Sequence, residues 1–436
     1  MKKFVRISLV LALLLGITQV ARSYPIDGFN YSGIKRLERL RAVIDGKIKD
    51  KSPLPGQMKS INDIKLHLTG RLGDALDSLP AVDSTLQKAI NGLFGGLSSA
   101  YSIAVLDITP GRPFRYAARK EFSGYQPGSV GKLAVLAGLF CELREIYPES
   151  YEKRLQLIKS KVVRGGQWAM SDEHTIPIYD PNTTKFLKRT VIPSDTFSII
   201  EWADHMISVS NNGAAAVVWR EAILMRVFGK DYPTLTQQQI DDYFGKTPKS
   251  QLSDVAMSVV NDPLQGLGIS EDDWHLGTIF TRGGGAVVPG KGGSTGCPNA
   301  LMKYLVALER GKIVDPESSL EIKRLMYSTD RRIRYASSKD LANAAVYFKS
   351  GSLYKCKPEA GYQCGKYKGN VENYMNSVAI IEHGDSLVYM VALMSNVLKK
   401  NSGTDHMIMA GRIEKIMREI HAKYPPLVKP EEDSVR

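Results

Sequence analysis

The sequence predicts an α+β fold in which strands from both ends of one domain form an antiparallel sheet and a helical subdomain is inserted between them. Two strand patterns occur early and are joined by the turn TPGR, three more occur late, and mostly helical or loop sequence lies between. The five strand patterns are 101–108, 113–119, 344–354, 374–383 and 386–395. Because early and late strands must share one sheet, non-local pairing completes it.

Residues 1–23 are typical of a cleaved signal peptide. Lys2, Lys3 and Arg6 form a basic start, and the apolar run 7–17 is too short to span a bilayer comfortably. Small residues at Ala21 and Ser23 suit a signal peptidase. We therefore expect a secreted or periplasmic protein whose mature chain starts at about Tyr24, with no stable membrane insertion after cleavage.

Residues 24–98 are expected to form a helical N-terminal extension. Over 30–48 the apolar residues recur at helical spacing, DKSPLPGQ at 50–57 breaks that helix, and 58–97 has a further amphipathic pattern. The predicted catalytic domain is 99–424 and ends in a helix from about Asp405 to Tyr424. The proline- and glutamate-containing residues 425–436 are expected to be a disordered tail.

Composition and charge give no support to a nucleic-acid partner. The chain has 436 residues, of which 43% are hydrophobic and 24% charged, as in ordinary globular proteins. Residues 1–23 contain four basic and no acidic residues, so their removal lowers the formal net charge from +13 to +9. That excess is spread along the chain without a strip of alternating aromatic and basic residues. It is compatible with an anionic surface such as the cell wall.

The four cysteines are expected in an oxidising compartment, where three disulfide connectivities are open to them. Cys356 and Cys364 bracket the polar loop KPEAGYQ and are the natural pair. Cys141 lies in an apolar helix, where a buried inert thiol is expected. No C-x-x-C or H-x-x-x-H spacing occurs, so we predict no zinc site.

Two glycine-rich segments fail as known functional motifs. GAVVPGKG at 285–292 approaches a phosphate-binding loop but has Gly292 where a hydroxyl residue is required. PGSVG at 127–131 has Pro127 where a nucleophile elbow requires glycine.

The segment QPGSVGKLAVLAGLF at 126–140 places Ser129 and Lys132 one helical turn apart as an apolar helix begins. Residues three apart share a helix face, so the Lys132 amine can reach the Ser129 hydroxyl and act as its base. Backbone N–H groups at the helix start would favour a developing oxyanion. The alternative is a solvent-facing lysine on an amphipathic helix.

Two further polar groups follow in order. Ser210, Asn211 and Asn212 interrupt an apolar, alanine-rich stretch, where they could equally form a turn or helix cap. Lys349 lies in a strand pattern and is followed by Ser350-Gly351-Ser352. The alternative there is an edge strand with a solvent-facing lysine.

In this order, S-x-x-K, S-x-N and K-[ST]-G form the signature set of the serine β-lactamases and penicillin-binding proteins. The sequence resembles class A β-lactamases most closely, over 99–424 with a poorly matched middle third. The resemblance implies the β-lactamase/transpeptidase-like fold and catalysis without a metal or organic cofactor.

The resemblance also implies a role for each motif residue. Ser129 would be the acylated nucleophile and Lys132 its base. Ser210 would relay a proton to the leaving nitrogen, and Asn212 would hold both the substrate amide and Lys132.

The third motif would bind the rest of the substrate. Lys349 and Ser350 would grip a substrate carboxylate. The backbone N–H groups of Ser129 and Ser352 would form the oxyanion hole, and Gly351 would allow close substrate approach.

The sequence departs from the class A pattern in two places. Asn211 replaces the usual aspartate, and the E-x-x-L-N motif, whose glutamate activates the deacylating water, is not found. Glu221 is the nearest match but lies in the same helix as Asn212. The acidic cluster Glu271, Asp272 and Asp273 is at a better distance but lacks the pattern.

These patterns predict an exported active-site-serine hydrolase that forms an acyl-enzyme at Ser129 and hydrolyses β-lactams. One alternative is a peptidoglycan D-Ala-D-Ala carboxypeptidase or endopeptidase. The other is a penicillin- or cell-wall-binding protein that acylates without turnover. The expected partners are a β-lactam or a D-Ala-D-Ala-type peptide, with peptidoglycan as a further candidate.

Overall fold

A computed structural model describes residues 25–50, 53–170, 174–330 and 332–426. The predicted signal peptide lies outside these residues, as does the predicted tail beyond residue 426. Among the described residues no helix is long and apolar enough to cross a membrane.

The strands form one large sheet and three two-stranded ones. In chain order they are β1 (Tyr101–Asp107), β2 (Arg115–Arg119), β3 (Val162–Arg164), β4 (Thr175–Tyr179), β5 (Phe186–Thr190), β6 (Thr196–Ser198), β7 (Trp274–His275), β8 (Thr295–Gly296), β9 (Ala345–Lys355), β10 (Glu372–Glu382) and β11 (Val388–Asn396). The large sheet is antiparallel with the order β2-β1-β11-β10-β9, and the small sheets are β3-β6, β4-β5 and β7-β8. The predicted sheet of N- and C-terminal strands is confirmed.

Helices cover both faces of the large sheet. They are α1 (Gly28–Ser32), α2 (Lys35–Ile44), α3 (Arg71–Asp74), α4 (Ser84–Gly92), α5 (Lys132–Ile146), α6 (Tyr151–Ser160), α7 (Ile199–Ser208), α8 (Asn212–Phe228), α9 (Gln237–Lys246), α10 (Lys249–Gly266), α11 (Arg282–Val287), α12 (Pro298–Glu309), α13 (Pro316–Tyr327) and α14 (Gly403–Lys423).

The alternation of side chains along β1 explains the three-layer packing. Ala104 and Leu106 point into the core that contains α5, α8 and α12. Ile103 and Val105 point to the opposite face, into a second core formed with α4 and α14. Every residue of β1 is buried, which is why its sequence shows a continuous apolar run rather than alternation.

The helix expected over 58–97 is wrong for most of its length. Short 3-10 turns at Pro55–Gln57 and Ile61–Asp63 precede α3 and α4, with extended chain between them. Gly70, at φ +68°, interrupts the pattern just before α3. The helix predicted over 30–48 is present as α2, and its apolar residues Leu37 and Leu40 are buried in the main core.

A buried ion cluster joins the segment before β1 to the sheet. At the end of β10 the Glu382 carboxylate contacts Lys323 at 2.6 Å, His67 at 2.9 Å and Lys59 at 2.8 Å. The Lys323 ammonium also lies 2.6 Å from Glu309. Burial alone would raise the pKa of Glu382, but the neighbouring cations hold it well below its ordinary value.

Candidate active site

Ser129 lies in a 3-10 turn, Gly128–Gly131, that leads directly into α5. The α-helix therefore starts at Lys132 rather than at the serine. Gly128, at φ +54°, opens the turn, and a Cβ atom there would lie 2.9 Å from the backbone nitrogen of Ser352. The turn thus needs glycine both for its backbone conformation and for its contact with β9.

The Lys132 ammonium lies at the centre of the site and is fully buried. It donates hydrogen bonds to Ser129 Oγ at 3.0 Å, to the Ser210 carbonyl oxygen at 2.5 Å and to Asn212 Oδ1 at 2.7 Å. Ser210 Oγ lies 3.4 Å away. The alternative of a solvent-facing lysine is wrong, because the amine points into the site.

Ser210 connects α7 to α8 and has φ +63°, a left-handed conformation that is uncommon outside glycine. The next residue, Asn211, caps α8 by accepting a hydrogen bond from the Ala214 N–H at 2.7 Å. Its Nδ2 donates to the His174 carbonyl oxygen at 2.9 Å. The cap interpretation therefore holds for Asn211, while Ser210 and Asn212 face Lys132.

Lys349 projects from β9 toward Ser210 and is 1% exposed. Its ammonium donates to Ser210 Oγ at 2.9 Å and to the Ser350 carbonyl oxygen at 2.8 Å. Burial, together with the nearby charges of Lys132 and Arg334, lowers the pKa of Lys349 well below its ordinary value. β9 is an edge strand, as the alternative interpretation had it, but its lysine does not face solvent.

Gly351 allows β9 to pack directly on the nucleophile turn. A Cβ atom at this position would lie 2.1 Å from the Pro127 carbonyl oxygen and 3.1 Å from the Ser129 backbone nitrogen. The glycine is therefore required by packing within the protein itself, a reason that the sequence did not reveal. The contact brings the backbones of Ser129 and Ser352 to the same end of the cleft.

Arg334 is a site residue that no short motif marked. It begins the 3-10 turn Arg334–Ser337 and donates to the Gly351 carbonyl oxygen at 2.8 Å and to Ser352 Oγ at 3.1 Å. Burial lowers its pKa to about 10. The Tyr367 ring lies 5.3 Å from the guanidinium, which favours a cation–π contact.

The predicted disulfide between Cys356 and Cys364 is present and closes part of the loop between β9 and β10. Tyr367 follows three residues later in the same loop. Cys141 is half-buried and Cys297 buried, and burial raises the pKa of both thiols. Across the described ranges no group of three or more His, Cys, Asp or Glu is arranged to hold a metal ion.

The motif residues surround one cleft of about 560 Å³. Seven of the predicted residues line it: Ser129, Ser210, Asn212, Lys349, Ser350, Gly351 and Ser352. Lys132 is buried behind them and contacts Ser129. Arg334, Lys366 and Tyr367, which no sequence motif indicated, also line it. No carboxylate does so among the described residues.

The acidic residues considered for deacylation lie elsewhere. Glu221 is buried on α8, where it accepts hydrogen bonds from Arg220 and Tyr232, each at 2.6 Å. The cluster at 271–273 is exposed or half-buried and does not line the cleft. The Phe280 ring instead faces the Lys132 ammonium at 5.1 Å.

Fold and motifs together place the chain in the serine β-lactamase and penicillin-binding protein superfamily. A family model described as the Beta-lactamase enzyme family matches residues 85–420, and the protein belongs to that family. None of the curated proteins compared with the chain matches it.

Several solved structures have a similar fold. PBP-A is 13% identical with a TM-score of 0.49, over 80% of this chain and 100% of its own. A β-lactamase from Sphaerobacter thermophilus is 12% identical with a TM-score of 0.46, over 79% and 100%. The chromosome-encoded β-lactamase of Vibrio parahaemolyticus is 13% identical with a TM-score of 0.47, over 78% and 100%. At these identities the likeness concerns the fold alone.

Proposed function

We propose that the protein is a serine hydrolase that forms an acyl-enzyme at Ser129 with β-lactams and with the D-Ala-D-Ala-type peptides that β-lactams mimic. The observation that carries this proposal is the buried side-chain nitrogen of Lys132, 3.0 Å from Ser129 Oγ and bonded to Ser210 and Asn212. Such a nucleophile and base within hydrogen-bond reach are what covalent acyl transfer requires.

Acylation would move one proton across the site. Uncharged Lys132 takes the proton of Ser129 as Oγ attacks the carbonyl carbon. Ser210 Oγ lies within reach of both Lys132 and Lys349, so it can pass a proton to the leaving nitrogen as the C–N bond breaks. The new Oγ–C bond is the ester of the acyl-enzyme.

The remaining contacts would orient the substrate along β9. Its carboxylate would meet the buried ammonium of Lys349 and the hydroxyl of Ser350, where a charge-assisted hydrogen bond is strong. Its carbonyl oxygen would accept from the backbone N–H groups of Ser129 and Ser352. The acyl portion would then extend past Ser352 toward Leu353.

Slow deacylation is part of the proposal. Hydrolysis of the ester needs a water made nucleophilic by a base, and no carboxylate among the described residues lines the cleft. Phe280 covers Lys132 with an apolar ring instead. These contacts favour a penicillin-reactive peptidase or a binding protein over an efficient β-lactamase.

The sequence supports a proposal for where the protein acts and what surrounds it. The signal-like residues 1–23 support an exported protein that acts in the periplasm or outside the cell. The formal charge of +9 after their removal is compatible with peptidoglycan as its surroundings.

Covalent labelling tests the nucleophile. We expect Ser129→Ala to abolish labelling by a fluorescent penicillin while circular dichroism and thermal unfolding remain those of the wild type. Ser250→Ala, an exposed serine at the start of α10, is the matched control and should label normally. A penicillin adduct on Ser129→Ala in intact-mass analysis would refute the assignment.

A further inference from the structure

Arg36 on α2 joins the segment before β1 to two parts of the catalytic site. Its side chain is buried, at 3% exposure. Nε and Nη2 donate to the two carboxylate oxygens of Asp204 on α7, each at 2.5 Å. Nη2 also donates to the backbone carbonyl oxygen of Ser328 at 2.7 Å. One guanidinium therefore holds α7 and the chain at Ser328 in a fixed relation.

α7 leads directly to Ser210. Asp204 lies four residues before the end of this helix at Ser208. The His205 carbonyl oxygen accepts from the Asn211 N–H at 3.1 Å, and this bond folds the chain back around Ser210. Because the fold-back starts from the last turn of α7, the position of the helix sets the position of the Ser210 hydroxyl.

The chain beyond the carbonyl group that the guanidinium binds is a buried connection between α7 and β9. Thr329 lines the cleft, and its Oγ1 lies 3.2 Å from the Phe348 carbonyl oxygen, directly before Lys349. The Asp330 N–H donates to the Ser208 carbonyl oxygen, at the end of α7, at 3.2 Å. A displacement of this connection would therefore change the distance between α7 and β9.

That distance matters for the chemistry because Ser210 bridges the two elements. Its Oγ lies 2.9 Å from the Lys349 nitrogen and 3.4 Å from the Lys132 nitrogen. A proton passes between groups at hydrogen-bond distance, and a misplacement of about 1 Å can slow a reaction about 10²-fold. Arg36 does not itself line the cleft, so any effect on the reaction would pass through α7 and the chain at Ser328.

The ion pair between Arg36 and Asp204 is better suited to fixing geometry than to adding stability. Asp204 is fully buried. A buried ion pair is often no more stabilising than a well-packed apolar pair of similar size. A guanidinium that contacts both carboxylate oxygens does, however, set the orientation of the two groups.

We propose that Arg36 is a positioning residue for the reaction at Ser129. It holds α7 and residues 328–330 so that the Ser210 hydroxyl stays within reach of Lys132 and Lys349. Arg36 precedes residues 85–420, the part of the chain that matches the family model, so the segment before β1 becomes a working part of the active site. This inference rests on the proposed function, in which Ser210 passes a proton to the leaving nitrogen.

The leaving group separates positioning of Ser210 from a general loosening of the site. The leaving nitrogen of benzylpenicillin must be protonated, which is the step assigned to Ser210. A thioester analogue of a D-Ala-D-Ala-type peptide acylates the same serine but expels a thiolate, which leaves without that proton. The measurement is the rate constant for acylation of Ser129 at saturating concentration of each compound.

The test variant is Arg36→Met/Asp204→Leu, because removing both charges together leaves no unpaired charge in the core. We expect acylation by benzylpenicillin to slow about tenfold or more, and acylation by the thioester to stay within about threefold. Arg41→Met/Asp45→Leu is the matched control. It removes an ion pair at the end of the same helix, where Arg41 is 55% exposed, and both rates should be those of the wild type.

Equal slowing with both compounds, or a wild-type rate with benzylpenicillin, would overturn the role of Arg36 alone. If the double variant does not fold, Arg36→Lys takes its place, since lysine keeps the charge but loses the planar two-point contact with the carboxylate. The same selective slowing is then expected, and the same two outcomes count against it. Absence of any Ser129 adduct on the wild-type protein with either compound would overturn the proposed function and this inference with it.

Discussion

Lys349 is held in an unfavourable place for a charge, since it is buried beside two other cations. That arrangement stabilises an anion more than it stabilises the empty protein, because a substrate carboxylate would relieve the repulsion between Lys349, Lys132 and Arg334. Binding energy that is realised only with substrate present is what a catalytic site needs.

We expect Lys349→Ala to slow acylation of Ser129 by about 10²-fold or more, because one lost charge-assisted contact in a dry site costs several kcal/mol. Stopped-flow measurement of acylation by benzylpenicillin checks this. Lys355→Ala, six residues along the same strand and exposed, should react at nearly the wild-type rate. A wild-type rate for Lys349→Ala would remove Lys349 from the carboxylate site.

Phe280 bears on the fate of the acyl-enzyme. With an aromatic ring facing Lys132 and no described carboxylate in the cleft, we expect a burst of one equivalent of chromogenic cephalosporin followed by slow turnover. Each lost 1.4 kcal/mol of transition-state stabilisation slows a step about tenfold.

Steady hydrolysis at roughly hundreds of turnovers per second, with no burst, would contradict this prediction. Replacement of Glu271, Asp272 and Asp273 one at a time would then show whether that cluster moves into the cleft during reaction.

The sequence identified those site residues that occur in contiguous motifs, because spacing along a helix or strand is readable from a single chain. Phe280, Arg334 and Tyr367 carry no such signal. Each reaches the site from a loop or turn whose path depends on tertiary packing. Likewise, the clash that makes Gly351 necessary involves Pro127, more than two hundred residues earlier.

At the scale of elements, the loop between β9 and β10 is held by several independent contacts. Besides the disulfide, the Asn370 side chain accepts from the Lys357 N–H and donates to the Lys357 carbonyl oxygen, each at 2.9 Å. Tyr367 adopts φ +58° at the point where its ring contacts Arg334. The loop is thereby fixed against the residue that holds Gly351 and Ser352.

We expect the double variant Cys356→Ser/Cys364→Ser to acylate roughly three- to tenfold more slowly, because Tyr367 and Arg334 lose part of their fixed geometry. The melting temperature should fall by only a few degrees, because a disulfide that closes so short a loop contributes about 2 to 3 kcal/mol to the stability of a chain of this size.

Treatment with dithiothreitol should slow the wild type to the same extent and leave the double variant unaffected. Tyr367→Ala should reproduce the slower acylation with the disulfide intact. Unchanged rates in both variants would show that the loop does not position Arg334.

The five strands of the large sheet were predictable because β1, β9, β10 and β11 each contain a run of apolar residues, and β2 follows the TPGR turn directly after β1. The failed helix over 58–97 has helical periodicity but also Gly70 and Pro80. Its apolar residues, including Leu68 and Leu76, are buried by packing on the main core rather than by a helix of their own. Tertiary contact therefore overrode the local pattern.

At the scale of the whole molecule, two buried histidines make stability depend on pH. Burial lowers the pKa of His205 to about 4 and that of His406 to about 3. His406 lies between Ser377 and Ser395, with ring nitrogens 3.0 and 3.1 Å from their hydroxyl oxygens.

Unfolded histidine has a pKa near 6.5, so the unfolded chain takes up these protons first as the pH falls. The unfolding free energy is therefore highest above about pH 6.5. It falls progressively as the pH drops from 6.5 toward the pKa values of the folded state. By pH 5 we expect each histidine to cost about 2 kcal/mol of unfolding free energy.

Urea unfolding between pH 7 and pH 5 checks this, with His406→Gln as the variant. Glutamine keeps hydrogen-bonding capacity toward the two serines but does not titrate in this range, so the variant should lose about 2 kcal/mol less than the wild type. If the unfolding free energy falls equally with pH in both proteins, His406 is protonated in the folded state.

The pairing of β1 with β11 has a consequence for the order in which a growing chain becomes reactive. Tyr101 is paired with Ser395, so the sheet cannot close until nearly the whole domain has left the ribosome. Ser129 and Lys132 are made early, whereas Lys349, Gly351 and Ser352 come from a strand that is ordered only when β10 and β11 are present. We therefore expect nascent chains and fragments that end before β11 to be inert toward penicillins, so that reactivity begins only after β11 has been made.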